Sequence, residues 1–204
     1  MYFKMDITVR TDKLLTQWGY KVVSPSDYNI SWSNTVIIEN DEIKQLLARM
    51  AQGDSESEER LRRIAKEIEE RITDFLLSNF VSPYFEASTH EDGIGLIVTR
   101  TWKRLAKYTN DIAITLPATR GFVTVPIPYV EIRSHRDDAG NMQYHMTTKD
   151  SYTISIVVRE DIRWLYDYLV EMVKIEENVQ NLAELATVNT SYTPEIECNC
   201  SCAY

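Results

Sequence analysis

Two histidines on either side of a turn-like sequence are the first candidates for acid–base or metal chemistry. His135 precedes the segment 137–141, Asp-Asp-Ala-Gly-Asn, which is typical of a hairpin turn, and His145 lies in the strand that would follow. Across such a hairpin the two imidazoles can approach each other, and the carboxylate of Asp137 would complete a metal or acid–base site. No H-E-x-x-H spacing supports catalysis, and Asp and His are also common in exposed turns.

The three cysteines stand at alternate positions, at Cys198, Cys200 and Cys202. Alternate thiolates can share a soft metal such as zinc or copper(I). Structural zinc sites normally combine C-x2-C pairs, which this sequence lacks, and an odd number of cysteines does not build a complete disulfide framework. An extended tail that lies against a neighbouring molecule is the simpler interpretation, so we expect no metal and no other cofactor.

One stretch combines basic and aromatic side chains, namely Arg100, Trp102, Lys103, Arg104, Lys107 and Tyr108. On a surface it could follow a nucleic-acid backbone, with bases stacked on its rings. It could equally meet an acidic partner, and residues 160–204 supply nine acidic side chains against two basic ones. For self-association we therefore expect contacts between copies from Arg100, Lys103, Arg104 and Lys107 to Glu171, Glu176 and Glu177.

Composition excludes several classes of function. The formal net charge of −9 makes the chain a poor general binder of nucleic acid, because counterion release needs many Lys and Arg contacts. No phosphate loop, dinucleotide fingerprint, nucleophile elbow or kinase signature is present, and six glycines leave little material for one. We expect no membrane span and no secretory signal, and hence a cytoplasmic protein or a particle assembled there.

The elements that position these residues begin with a stretch whose hydrophobic period changes. Residues 151–159 alternate with the two-residue period of a strand, and from Glu160 to Ala186 apolar residues recur at three- and four-residue steps. The pattern predicts a strand followed directly by an acidic helix about 40 Å long.

The first 40 residues predict an N-terminal arm with a strand and a helix. Lys4–Arg10 has strand alternation, Thr11 is a plausible N-cap, and Gly19 is a plausible helix stop. Asn29–Glu39 reads as a second strand, with a possible bulge at Ser33-Asn34.

Residues 41–80 predict a helical hairpin. Its first helix begins near Asn40-Asp41, and Gln52-Gly53-Asp54 interrupts the pattern. Its second helix begins with a capping box at Ser55–Glu58 and runs to Phe80 with a regular apolar stripe.

Residues 84–159 are rich in β-branched and aromatic residues and predict a mostly antiparallel sheet of four to five strands. The expected strands are Ile94–Trp102, Asp111–Leu116, Arg120–Arg133, Met142–Thr148 and Ser151–Arg159. We expect hairpins at 137–141 and at 148–150. Pro126 and Pro128 predict that their strand lies at an edge or carries a bulge.

The fold class is therefore α+β, with extended terminal arms. The organisation is an N-terminal arm at 1–40, the helical hairpin at 41–80, the sheet and long helix at 81–186, and a polar C-terminal tail at 187–204. The hairpin, the sheet and the long helix are expected to form one domain.

With its charged hairpin Glu42–Phe80, compact sheet Ile94–Arg159, acidic helix Glu160–Ala186 and two polar arms, the chain resembles virion structural proteins of tailed bacteriophages. Such proteins form rings at the portal, neck or tail of a podovirus or crAss-like phage. The resemblance implies a homo-oligomeric ring, twelvefold in a connector, around a channel through which DNA passes without specific binding. It also implies portal or tail subunits as partners and a place in the virion, after assembly in the host cytoplasm.

Three hypotheses follow. The first is a non-enzymatic structural subunit that assembles into a ring or head–tail connector. The second is a small metal-dependent hydrolase that uses His135, Asp137 and His145. The third is a nucleic-acid-binding accessory protein that uses the basic stretch between Arg100 and Tyr108.

Overall fold

The computed structural model describes residues 2–81, 111–116, 121–158 and 185–193. Within these ranges the chain is α+β, as the sequence predicts, with strands that form two antiparallel sheets instead of one. The predicted acidic helix, the predicted strand Ile94–Trp102 and the cysteine tail lie outside the described residues.

The first sheet has five strands in the order β4-β5-β8-β1-β9. Their bounds are β1 Tyr2–Arg10, β4 Asp111–Leu116, β5 Gly121–Pro126, β8 Ser151–Val158 and β9 Ala186–Thr193. In the backbone register, Ile7 of β1 pairs with Ile154 of β8 on one side and with Val188 of β9 on the other. Since it pairs on both edges, the N-terminal segment is a central strand and not an arm. The buried Ile7 and Val9 make one face of β1 a core face.

The start of the predicted tail is also a strand. β9 pairs along β1 from Ala186 to Thr193, although its sequence is mostly polar. Thr187, Asn189 and Ser191 are exposed at alternate positions, as expected where one side of an antiparallel strand faces water.

The second sheet has four strands in the order β2-β3-β7-β6. Their bounds are β2 Lys21–Val23, β3 Thr35–Glu39, β6 Val130–Arg136 and β7 Met142–Lys149. The predicted hairpin at 137–141 joins β6 to β7, closed by a 3.0 Å bond from Asp137 N to Asn141 O, with Gly140 at φ +81°.

The second predicted hairpin, at 148–150, is wrong. Only Asp150 separates β7 from β8, yet the two strands belong to different sheets. The Asp150 carbonyl accepts the N–H of Thr11 at 2.9 Å, and the Asp150 N–H donates to Asn34 O at 3.1 Å. These bonds to distant segments turn the chain from one sheet into the other.

The prolines divide one predicted strand into two. Pro126 is the last residue of β5, and residues 127–129 are irregular before β6 begins at Val130. The ladder between β5 and β8 covers only Phe122–Thr124, so Pro126 lies where no donor to β8 is needed.

The described helices are α1 Thr11–Gln17, α2 Asp41–Ala51 and α3 Ser55–Leu76, and α3 continues into a π-helical turn, Leu77–Val81. α2 begins where the sequence predicts, near Asn40-Asp41, and Asn40 caps it, since its Oδ1 accepts the Ile43 N–H at 2.7 Å. α3 is capped by Asp54 and not by Ser55, and α1 begins at Thr11 after an Arg10 that makes no side-chain cap bond.

One hydrophobic cluster joins the helices to both sheets. α3 buries a single stripe, formed by Leu61, Ile64, Ala65, Ile68, Ile72 and Leu76. The same cluster contains Ile7 and Ile154 of the first sheet and Ile38 and Met146 of the second. Both sheets therefore lie on one side of α3. None of the helices in the described ranges is long and apolar enough to cross a membrane.

Candidate functional site

A cluster of rings lies on the face of the second sheet opposite α3. The segment between β2 and β3 forms a short 3-10 helix, Pro25–Tyr28, and then takes left-handed backbone conformations at Asn29 (φ 58°) and Asn34 (φ 50°). These two residues delay the start of β3 from the predicted Asn29 to Thr35. The irregular segment carries Tyr28 and Trp32 onto the sheet.

The ring cluster consists of Tyr28, Trp32, His135 and His145. The two imidazoles stack with centroids 5.0 Å apart and planes inclined by 26°. Trp32 meets both edge-on, at 6.1 Å from His135 and 6.2 Å from His145, and Tyr28 lies 5.2 Å from His145. Such edge-to-face and offset contacts are the favoured geometries of ring pairs.

The hairpin register explains why the histidines meet. His135 pairs with Gln143, and His145 is two residues farther along β7, so the imidazoles are diagonal neighbours on the same face. The prediction that they approach each other is confirmed. Arg133 pairs directly with His145 and places its guanidinium 4.1 Å from the centroid of the Trp32 ring, a cation–π contact.

The stacked geometry does not present one shared metal position. A metal ion lies in the plane of each imidazole ligand, about 2 Å beyond the nitrogen. Ring planes inclined by 26°, with centroids 5.0 Å apart, do not meet at that distance. Within the described residues, no group of three or more His, Cys, Asp or Glu side chains could hold a metal ion.

Asp137 does not join the histidines. Its Oδ1 accepts the Asn141 N–H at 2.8 Å, and its Oδ2 accepts from the Gln143 amide at 3.1 Å. These bonds stabilise the turn and lower the pKa of the carboxyl. Of the predicted trio, the structure therefore brings together His135 and His145 but not Asp137.

Each histidine has one buried nitrogen, Nδ1 of His135 and Nε2 of His145, that finds no hydrogen-bond partner among the residues the structure describes. The pKa of His145 is lowered, chiefly because burial disfavours the charged imidazolium and further because His135 stands beside it. Glu39 opposes this shift. The arrangement favours a neutral His145 that can accept or donate one further hydrogen bond.

Glu39, the last residue of β3, is a buried carboxylate that the sequence reasoning missed. It is 5% exposed, and its Oε1 accepts the hydroxyl hydrogen of Tyr28, which raises the pKa of that phenol to about 12. Its Oε2 lies 3.4 Å from Lys44 Nζ and 3.8 Å from Lys21 Nζ, and it accepts no hydrogen bond from any part of the chain that the structure describes. The sequence contains one indication of a buried carboxylate here, namely an acidic residue at the end of the apolar strand Thr-Val-Ile-Ile-Glu.

A cleft of about 270 Å³ opens beside Glu39, between α2 and the first half of β7. The ladder from β3 to β7 ends at Ile38–Met146, while β7 continues back to Met142. Residues 142–145 therefore have no strand on the β3 side among the described residues. The apolar lining comes from Ile43, Leu47, Ala48, Ala51, Met142 and Met146, and the polar lining includes Tyr28, Glu39, Lys44 and His145.

The residues predicted to join copies lie outside the described ranges, namely Arg100, Lys103, Arg104, Lys107, Glu171, Glu176 and Glu177. Their contacts stay predictions, as does the role of the three cysteines. No protein-family model, no curated protein and no solved structure matches the chain.

Proposed function

We propose that this chain is a non-enzymatic structural subunit that assembles with copies of itself into a ring or connector in the virion of a tailed bacteriophage. The observation that carries the proposal is the ring cluster with Arg133, a set of aromatic and cationic side chains arranged on the sheet face opposite α3. Such a surface suits a protein partner.

The composition of this surface matches that of binding hot spots. Tyr, Trp and Arg are enriched among the residues that contribute most to protein–protein affinity. Here ring contacts and the cation–π contact already hold the side chains in place, so less conformational entropy is lost when a partner binds.

Exposed apolar side chains are concentrated beside the same sheet. Among the described residues, the exposed large hydrophobics are Tyr28 (39%), Tyr129 (58%) and Met142 (44%). Tyr28 packs on β7, Tyr129 directly precedes β6, and Met142 begins β7. Single exposed apolar residues are ordinary, but three around one sheet favour an interaction surface there.

The place in a virion rests on the resemblance and on charge. Residues 160–204 hold most of the acidic excess, and an acidic channel wall would let DNA slide without adhering. Portal or tail subunits are the expected partners. Contacts from Arg100, Lys103, Arg104 and Lys107 to Glu171, Glu176 and Glu177 of a neighbour would add charge complementarity.

Native mass spectrometry and light scattering of the full chain test the proposal. We expect one closed oligomer, and we expect Arg133→Glu, Arg104→Glu or Lys107→Glu to shift the population toward monomer. Arg62→Glu is the matched control, since Arg62 is an exposed arginine of α3 whose ion pair among the described residues is with Glu58. A wild-type chain that remains monomeric at every concentration would overturn the proposal.

The metal-dependent hydrolase is the second candidate, because the two imidazoles are adjacent and each has an unpartnered nitrogen. A shared metal would require one ring to rotate out of the stack. Metal analysis of the purified chain decides: a stoichiometric ion that is lost in His135→Ala would favour this candidate over the structural one.

A further inference from the structure

The cleft between α2 and β7 combines three features that suit an extended peptide. Among the described residues, β7 has no strand beside residues 142–145 on its β3 side, and the buried Glu39 Oε2 has two lysine ion-pair partners but accepts no hydrogen bond. The lining of the cleft is largely apolar. His145 Nε2, also at this cleft, is a second buried polar atom for which the described ranges provide no hydrogen-bond partner. Buried polar groups normally have partners, so this set points to an occupant.

We propose that the cleft binds the C-terminal segment Glu195-Ile196-Glu197 of a second copy of this chain as an added strand. The inference rests on the proposed assembly function and names the contact through which one copy holds the next.

The strand edge determines the form of the occupant. An extended peptide that pairs with β7 at residues 142–145 takes the position that β3 leaves when its ladder ends at Ile38. Main-chain hydrogen bonds to an open sheet edge give affinity, and pockets for alternate side chains give specificity. Glu39 Oε2 can then accept a backbone N–H of the incoming segment.

The size and lining of the cleft indicate which side chain of the occupant enters it. The cleft, at about 270 Å³, is slightly smaller than the usual site for a drug-sized ligand. It has room for one large side chain with its backbone, and its aliphatic lining suits Ile or Leu.

The charged groups at the rim of the cleft indicate which residues stand on either side of that apolar residue. Two ammonium groups, of Lys21 and Lys44, face the single carboxylate of Glu39, and both lysine side chains are more than half exposed. One positive charge is thus left for a partner. An apolar residue with carboxylates on each side complements such a rim.

Outside the described residues, the sequence places an apolar residue between two carboxylates only at Glu195-Ile196-Glu197. Ile196 is β-branched, which favours an extended conformation. In an extended segment the two glutamates share one face and Ile196 takes the other.

The cleft of a second copy is a better receptor for this segment than the cleft of the segment's own copy. Ile196 follows Thr193 by three residues, a reach of about 10 Å. Thr193 pairs with Tyr2, whereas the first sheet meets the second at the Thr11–Asp150 bond beyond Arg10, about 27 Å away along β1. The segment of the same copy therefore starts at the wrong end of the first sheet.

Peptide binding is the first test. The probe is a fluorescein-labelled peptide of residues 192–199 with Cys198→Ser, and the receptor is the full chain with Ile196→Asp, whose own segment no longer competes. We expect saturable binding in fluorescence anisotropy, abolished by Ala48→Trp, which fills the cleft from an exposed position on α2. Lys44→Glu should weaken binding about tenfold. Lys66→Glu on the exposed face of α3 is the matched control and should bind as tightly as the receptor without it.

Mixing two full-length variants is the second test. Ile196→Asp keeps the cleft and loses the segment, and Ala48→Trp keeps the segment and loses the cleft. Each alone should have a lower native mass than the wild type, and a mixture should form dimers that contain one of each. Circular dichroism checks that both variants are folded.

The outcomes separate this inference from the assembly proposal. A peptide that does not bind, or that binds Ala48→Trp equally well, overturns the inference even if the wild-type chain is an oligomer. A peptide that binds while the variants form no mixed dimers shows docking within one copy and also overturns it. A wild-type chain that stays monomeric although the peptide binds contradicts the assembly proposal and, because no second copy is then bound, overturns the inference as well.

Discussion

The carboxylate of Glu69 on α3 accepts the backbone N–H of Val130, the first residue of β6, at 2.9 Å. The preceding residue, Tyr129, donates its N–H to the hydroxyl of Tyr152 on β8 at 3.0 Å. The segment between the two sheets is therefore held from α3 and from the first sheet by side chains that replace ladder bonds.

Removing the Glu69 acceptor should destabilise the fold. Glu69→Ala leaves the Val130 N–H without its partner, and we expect the free energy of unfolding to fall by about 1–3 kcal/mol. Glu69→Gln retains an acceptor oxygen and should keep most of the stability. Urea denaturation at neutral pH measures both, with the exposed neighbour Glu70→Ala as control. Equal losses for Ala and Gln would contradict the role of this hydrogen bond.

The same carboxylate should make stability depend on pH. Burial raises the pKa of Glu69, and the Val130 N–H only partly opposes the shift. The folded state therefore binds the proton more tightly than the unfolded chain. The resulting stabilisation is complete below the unfolded pKa and is lost as pH rises through the folded pKa. Relative to Glu69→Gln, the wild type should lose stability as pH rises above 4.5, the ordinary pKa of a glutamate, and parallel pH profiles would contradict this.

Two tyrosines provide a matched comparison for Glu39. Tyr28 donates to the buried Glu39, whereas Tyr129 donates to the partly exposed Glu131 at 3.0 Å. Tyr28→Phe should cost about 1–2 kcal/mol, because it leaves a buried carboxylate oxygen without its donor. Tyr129→Phe should stay within about 0.5 kcal/mol of the wild type. Chemical denaturation of both variants measures the two changes in the free energy of unfolding. Equal changes would show that the burial of Glu39 does not strengthen its hydrogen bond with Tyr28.

Acid should destabilise the ring cluster. Since the pKa of His145 is lowered by burial and by His135, the folded state resists protonation. The stability contributed by the neutral imidazole of His145 is present above the unfolded pKa of 6.5 and is lost as pH falls below it toward the lower folded pKa. His145→Gln should flatten this loss, and His135→Gln should flatten it partly. Thermal unfolding across this pH range tests the prediction, which fails if all three proteins have the same slope.

The cap of α3 distinguishes two adjacent residues. Asp54 Oδ1 accepts the Glu56 N–H at 3.1 Å, and Asp54 Oδ2 accepts from the Ser57 hydroxyl at 2.7 Å. Asp54→Ala should lower the melting temperature more than Ser55→Ala does, although the sequence favoured Ser55 as the cap. Because these bonds lower the pKa of Asp54, the cap's contribution should fade as pH falls through its folded pKa. A larger effect for Ser55→Ala would restore the predicted capping box.

Local pattern was sufficient for elements whose periodicity is complete within one segment. α2, α3, β1 and the hairpin 137–141 lie where the sequence predicts them, because their apolar spacing or turn residues act over a few positions. At residues 187–193 the polar composition predicted a tail, whereas the structure has a strand. There a mostly polar strand forms because β1 offers it a partner, and that information lies far away in sequence.

The division into two sheets and the composition of the site depend on contacts between distant segments. Asp150 turns the chain because Thr11 and Asn34 bond to it. Trp32 reaches the histidines because Asn29 and Asn34 adopt left-handed conformations. The adjacency of His135 and His145 was predictable from hairpin register alone, whereas the partners of Glu39 come from three separate elements.

The central place of β1 has a consequence for biosynthesis. Asp6 on β1 bonds Ser155 across 149 residues, and β9, the other neighbour of β1, comes later still. A ribosome therefore delivers this strand long before β8 and β9, so β1 leaves the exit tunnel with two uncovered edges. Such long-range closure is slow, and waiting edges are prone to aggregate. Nascent chains of this protein should depend on chaperones until translation has passed β9.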